Sequence, residues 1–152
     1  MSSIVEVRPA PRVRQCRLAP SAVALVESAR HGLAAAQDEP TPAARYVGAH
    51  LAALRAAAAV VAARADPPGS RRGRPKSVWE LLPKVEPTLR EWAAFFAASA
   101  AKRAAAEAGL PRAVSAREAD DLLRDAGTFV TLAEGALGMP GGQELLPLPT
   151  AG

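Results

Sequence analysis

Cysteine occurs once in the 152 residues, at Cys16, so no disulfide can close within the chain. That usage fits a reducing compartment or an incidental thiol. Histidine occurs only at His31 and His50, and one cysteine with two histidines cannot build a zinc site unaided. Aromatic residues make up 4%, while much of the 49% hydrophobic content is alanine. Alanine favours helix, and strands want β-branched and aromatic residues, so the expected class is all-α. Long apolar runs are lacking too. The run between Arg55 and Arg64 has eight residues and that from Trp92 to Ala101 has ten, against the roughly 20 that span a bilayer. Glu6 and Arg8 interrupt the apolar start, which argues against a signal peptide. The expectation is a soluble cytoplasmic protein without membrane contact. Also absent are a P-loop, a GxGxxG after a strand, HExxH and GxSxG, so neither a cofactor nor a metal is expected.

What is present is charge, unevenly placed. The net is +4 with a pI near 10.0. Residues 1–18 carry Arg8, Arg12, Arg14 and Arg17 against Glu6 and read as a flexible basic arm. Arg71, Arg72, Arg74 and Lys76 put four positive charges into six residues, in a loop that is either a phosphate-binding element or a solvated segment. Residues 115–138 are acidic by contrast, with Glu118, Asp120, Asp121, Asp125 and Glu134 against Arg117 and Arg124.

Between arm and tail the pattern is helical. Ala22, Val26, Ala29, Leu33 and Ala36 recur at helical spacing after Pro20, and His31 lies off that stripe. Thr41 can cap a second helix that has Pro42 at its first position. Its stripe reads Val47, Leu51, Leu54, Ala58 and Val61, and from Ala56 to Ala63 it is apolar all round. Such a helix is covered on more than one side, as the centre of a bundle or as half of a dimer seam. Ser77–Glu80 and Ser115–Glu118 are capping-box patterns. The helix after Ser77 should be short, because Pro83 and Pro87 interrupt it, with Pro87 opening the next. That next helix shows Leu89, Trp92, Phe96, Ser99 and Arg103, flanked by Phe95. Trp79, Trp92, Phe95 and Phe96 are expected to anchor the core. Gly109 and Gly138 mark helix stops, and the last helix presents Ala119, Leu122, Ala126, Phe129, Ala133 and Leu137. The expected architecture is an up-and-down bundle of four main helices plus one short one over residues 19–138, with a disordered tail at 139–152.

For chemistry, the sequence offers Arg45-Tyr46-Val47-Gly48-Ala49-His50. On one straight helix Arg45 and His50 stand about 140° apart. To share a phosphate they need a bend at Gly48 or a second copy across a dimer axis. The alternative is a border histidine hydrogen-bonded to Tyr46 or to a backbone carbonyl, with Arg45 in solvent. Asp120, Asp121 and Glu118 are a weaker idea for a metal, since acids near a helix start are favoured by the helix dipole anyway.

The chain resembles the HEPN superfamily, and within it an actinobacterial branch. The likeness is carried by Arg45-Tyr46, Ala49-His50-Leu51-Ala52-Ala53-Leu54-Arg55, Ser77-Val78-Trp79-Glu80-Leu81-Leu82, Glu91-Trp92-Ala93-Ala94-Phe95-Phe96 and the segment Ala116 to Leu123, within residues 20–138. The resemblance implies an all-α bundle, often a homodimer, whose active members are metal-independent endoribonucleases. It implies His50 in proton transfer at a 2′-hydroxyl and Arg45 on the scissile phosphate. Tyr46 stands where active members usually carry a polar residue. Candidate partners are RNA, a second copy, and an antitoxin-like or other protein. Candidate nucleic-acid contacts are Arg71, Arg72, Arg74 and Lys76, and the rival function is a non-catalytic dimerisation or partner-binding module.

Overall fold

Helix α1 (Pro20–Gln37) runs along α2 (Pro42–Arg64), its antiparallel neighbour after a short turn, and α3 (Val78–Val85) follows. A 3₁₀ turn at Pro87–Leu89 leads into α4 (Arg90–Glu107), and α5 (Ala116–Ala136) closes the set. The computed structural model describes residues 18–64 and 77–139, and among these no strand occurs. The expected arm up to residue 17, the basic loop and the tail from residue 140 lie outside the described residues.

The local signals act where they stand. Thr41 Oγ1 accepts from the Ala44 N–H at 3.2 Å, and Pro42 opens α2. Ser77 Oγ accepts from Glu80 N at 3.2 Å, the serine half of a capping box. At Ser115–Glu118 both halves form. Gly109 and Gly138 take the left-handed conformation at φ 72° and 69°. Each supports the paired bonds that close a helix C-terminus: Leu110 N to Ala105 O with Gly109 N to Ala106 O, and Met139 N to Glu134 O with Gly138 N to Gly135 O.

One stop signal is overridden. Helix α3 runs through Pro83 to Val85 rather than ending there. The proline removes one helical N–H, but Trp79 and Leu82 are buried and hold that turn against the core. The break falls at Glu86, which leaves the helical region at φ −144°, ψ 84°, as the steric clash with the ring of the following proline disfavours the helical conformation there.

Helix α2 is the axis of the bundle and packs on α1, α3, α4 and α5. By length and composition it would pass for a membrane span, and its place among four other helices accounts for that apolarity. Its buried face differs from the expected stripe. Val47, Leu51, Leu54, Ala58 and Val61 are only half-buried, while Tyr46, Ala49, His50, Ala53, Ala56, Ala57 and Val60 are inside. The cause is size: alanine lets neighbouring helix axes come close, so the branched side chains sit in the seams between contacts rather than under them. Gly48 shows the same closeness. A Cβ there would lie 3.0 Å from Ala36 Cβ, so this glycine brings α1 and α2 together and bends nothing: α2 is continuous.

The stripe of α1 is buried as expected, residue for residue. The aromatic cluster also forms, with Phe129 added: Trp79 stacks on Phe96 at 5.2 Å, and Phe96 meets Phe129 at 5.2 Å. Phe95 departs from the expected core role. It is 42% exposed, because α4 turns its alanine Ala93 and Phe96 inward and leaves Phe95 at the rim.

Candidate functional site around His50

His50 lies one turn beyond Tyr46 on α2 and is 1% exposed. The ring therefore points into the core and not into an open groove where Arg45 could join it on a phosphate. The ring sits edge-on to Trp79 and to Phe96, both at 6.0 Å. Its Nε2 is 3.1 Å from the Phe96 carbonyl oxygen. A carbonyl only accepts, so Nε2 carries the proton and donates it. The lone pair is then on Nδ1, which is buried and has no hydrogen-bond partner among the described residues. Burial lowers the pKa of the ring; the Phe96 carbonyl opposes that, and the Arg103 charge adds to it. At neutral pH this imidazole is uncharged.

The same carbonyl accepts a second side-chain hydrogen bond. Ser99 Oγ donates to Phe96 O at 2.9 Å, and Ser99 also neighbours the Tyr46 hydroxyl. Burial pushes the Tyr46 phenol pKa up. Tyr46 and His50, one turn apart on α2, thus face Ser99 and Arg103 on antiparallel α4. Lys102 Nζ bonds Glu118 Oε1 at 2.6 Å, which joins α4 to the start of α5. That bond raises the lysine pKa and lowers the carboxyl pKa.

Arg45 serves another locus. Its Nη1 donates to the Glu39 carbonyl at 3.0 Å, and its Nε lies 3.3 Å from Asp120 Oδ1. The guanidinium ties the α1–α2 turn to the N-terminal part of α5, rather than standing in solvent. Arg45 and His50 are not brought together, since each engages different partners. The arginine whose charge reaches the imidazole is Arg103, itself paired with Glu107 at 2.9 Å.

Of the sequence alternatives, the histidine bonded to a backbone carbonyl matches this geometry. The carboxylates considered for a metal are engaged separately: Asp120 by Arg45, Asp121 by Arg124, Glu118 by Lys102. Arg71, Arg72, Arg74 and Lys76 lie outside the described residues. Sequence reasoning placed Ser99 and Arg103 in the buried stripe of α4 without a role. Two polar residues one turn apart in an alanine-rich face were the signal, matched by Tyr46 and His50 one turn apart on α2.

A family model described as SAV_6107-like HEPN matches residues 36–134, from the end of α1 through most of α5. No curated protein and no solved structure matches the chain significantly.

Proposed function

The chain belongs to the SAV_6107-like HEPN family, and from that premise we propose that it works as a non-catalytic helical binding module. The observation that carries this reading is the placement of His50. An imidazole that moves a proton at a phosphodiester must reach the attacking hydroxyl within about 3 Å, directly or through one water. This one has its only N–H engaged by the Phe96 carbonyl and its lone pair buried among Trp79 and Phe96. Arg45 is likewise occupied, by Asp120 and the Glu39 carbonyl. In this reading His50 and Arg45 hold helices together.

The test is metal-free incubation of single-stranded RNA with the wild-type chain, His50→Gln and Arg45→Ala, after circular dichroism has shown all three folded. The expected result is no cleavage that depends on either side chain. Cleavage by the wild type that both substitutions abolish would overturn the reading and restore the endoribonuclease.

One specific observation favours RNA as the partner: four positive charges within residues 71–76. Phosphate binding by such a segment needs no catalytic site and is compatible with a sealed His50. The bundle would then hold the segment, between the end of α2 and the start of α3, in a cytoplasmic binding protein.

A further inference from the structure

Between α4 and α5, away from the His50 network, an open recess of about 320 Å³ is lined by Glu91, Trp92, Phe95 and Asp125. The Trp92 and Phe95 rings meet at 6.2 Å and 83°, two walls of a corner. Trp92 is fixed from behind by stacking on Phe96 at 6.1 Å and by Phe129 at 6.0 Å. Phe95, at the rim, is one of the few large apolar side chains left exposed.

All four lining residues favour the same ligand charge. Aromatic faces carry negative quadrupolar potential and attract cations, and two carboxylates stand beside them. Neither carboxylate has a hydrogen bond or ion pair among the described residues, whereas Asp120, Asp121 and Glu118 are all paired. The cation next to Asp125 in sequence, Arg124, is held by Asp121 at 3.0 Å. An anion would be repelled here, and an uncharged apolar ligand would strip water from the carboxylates without return.

We propose that the Trp92–Phe95 corner with Glu91 and Asp125 binds the guanidinium or ammonium head of an arginine or lysine side chain presented by a basic partner polypeptide. The recess is open and has two aromatic walls, too few to enclose a free small cation, so its occupant is anchored by a larger body. The chain is +4 overall, so general attraction disfavours a basic partner and local complementarity has to supply the affinity. This rests on the binding-module reading and goes beyond its RNA partner: the basic polypeptide is a second partner, bound on the α4–α5 face. Its test is independent of RNA cleavage, so the two can fail separately.

The experiment titrates the ¹⁵N-labelled full chain with a hexa-arginine peptide and follows the two tryptophan indole N–H resonances. Trp79 is buried in the core and serves as the internal control. The expected result is a saturable shift of the Trp92 resonance with Trp79 unmoved. Asp125→Asn and Phe95→Ala, both at the rim, should each weaken binding by roughly fivefold or more. Tetramethylammonium, which has the charge without the tether, should bind at least about tenfold more weakly. No saturable shift at Trp92, or unchanged affinity in both variants, overturns the site. Equal affinity for tetramethylammonium overturns the assignment to a polypeptide side chain.

Discussion

At the scale of one residue, His50 is a core side chain with an acid–base consequence. Its buried ring is neutral and its pKa is lowered from 6.5 by burial. The unfolded chain therefore binds a proton more readily than the folded one. The linked stability is fully present above about pH 6.5 and is lost as pH falls below that value toward the folded pKa, with a slope of at most about 1.4 kcal/mol per pH unit. Denaturation curves from pH 7.5 down to 5.5 should show this loss in the wild type. In His50→Leu it should vanish, because the Ser99 hydroxyl still donates to the Phe96 carbonyl and no imidazole remains to protonate. A parallel fall in both proteins would mean that another group carries it. Carboxylates such as Glu118, whose pKa is lowered by Lys102, contribute only at still lower pH.

At the scale of the helix pair, α1 and α2 are held by smallness. Gly48 meets Ala36 where a Cβ would be 3.0 Å from another Cβ. Gly48→Ala would gain about 1 kcal/mol of helix propensity in an open helix. Here the facing atom is itself a rigid alanine methyl on a helix, so the two helices must separate, at a cost of about 1–3 kcal/mol. The expected outcome is a net loss near 1 kcal/mol and a Tm lower by about 2–8 °C in thermal melts. A raised Tm would mean that α1 shifts freely. Arg64 works at the opposite end of α2. It pairs with Glu86 and donates to the Val85 and Ala136 carbonyls, so one cation at the end of α2 satisfies the ends of α3 and α5.

For the molecule as a whole, charge is segregated along the chain. The basic residues Arg71, Arg72, Arg74 and Lys76 follow α2, and the acids Asp120, Asp121 and Asp125 lie on α5. If RNA is a partner, affinity for a single strand should fall steeply with salt. Replacing all four cations with alanine should make the slope of log K against log salt shallower by about 0.7 for each phosphate contact removed. Fluorescence anisotropy at several salt concentrations checks this, and a flat response in the wild type removes electrostatic RNA binding.

Much of this architecture is local in origin and could be read directly from the residues. The all-α class, the five helices, the caps at Thr41, Ser77 and Ser115, the glycine stops at Gly109 and Gly138 and the stripe of α1 depend on backbone sterics and on neighbours three or four positions away. Pro83 marks the edge of that legibility, since a local break signal lost to the packing of Trp79 and Leu82. Which side of α2 would be inside was not legible. Periodicity put the bulkier Val47, Leu51 and Leu54 inside, and only the approach of four other helices selected Tyr46, His50 and the alanines over them. The partners of Arg45 and His50 were decided in the same way. A guanidinium or an imidazole takes whatever acceptor lies within about 3 Å, and Asp120 and the Phe96 carbonyl arrive there from 75 and 46 positions along the chain.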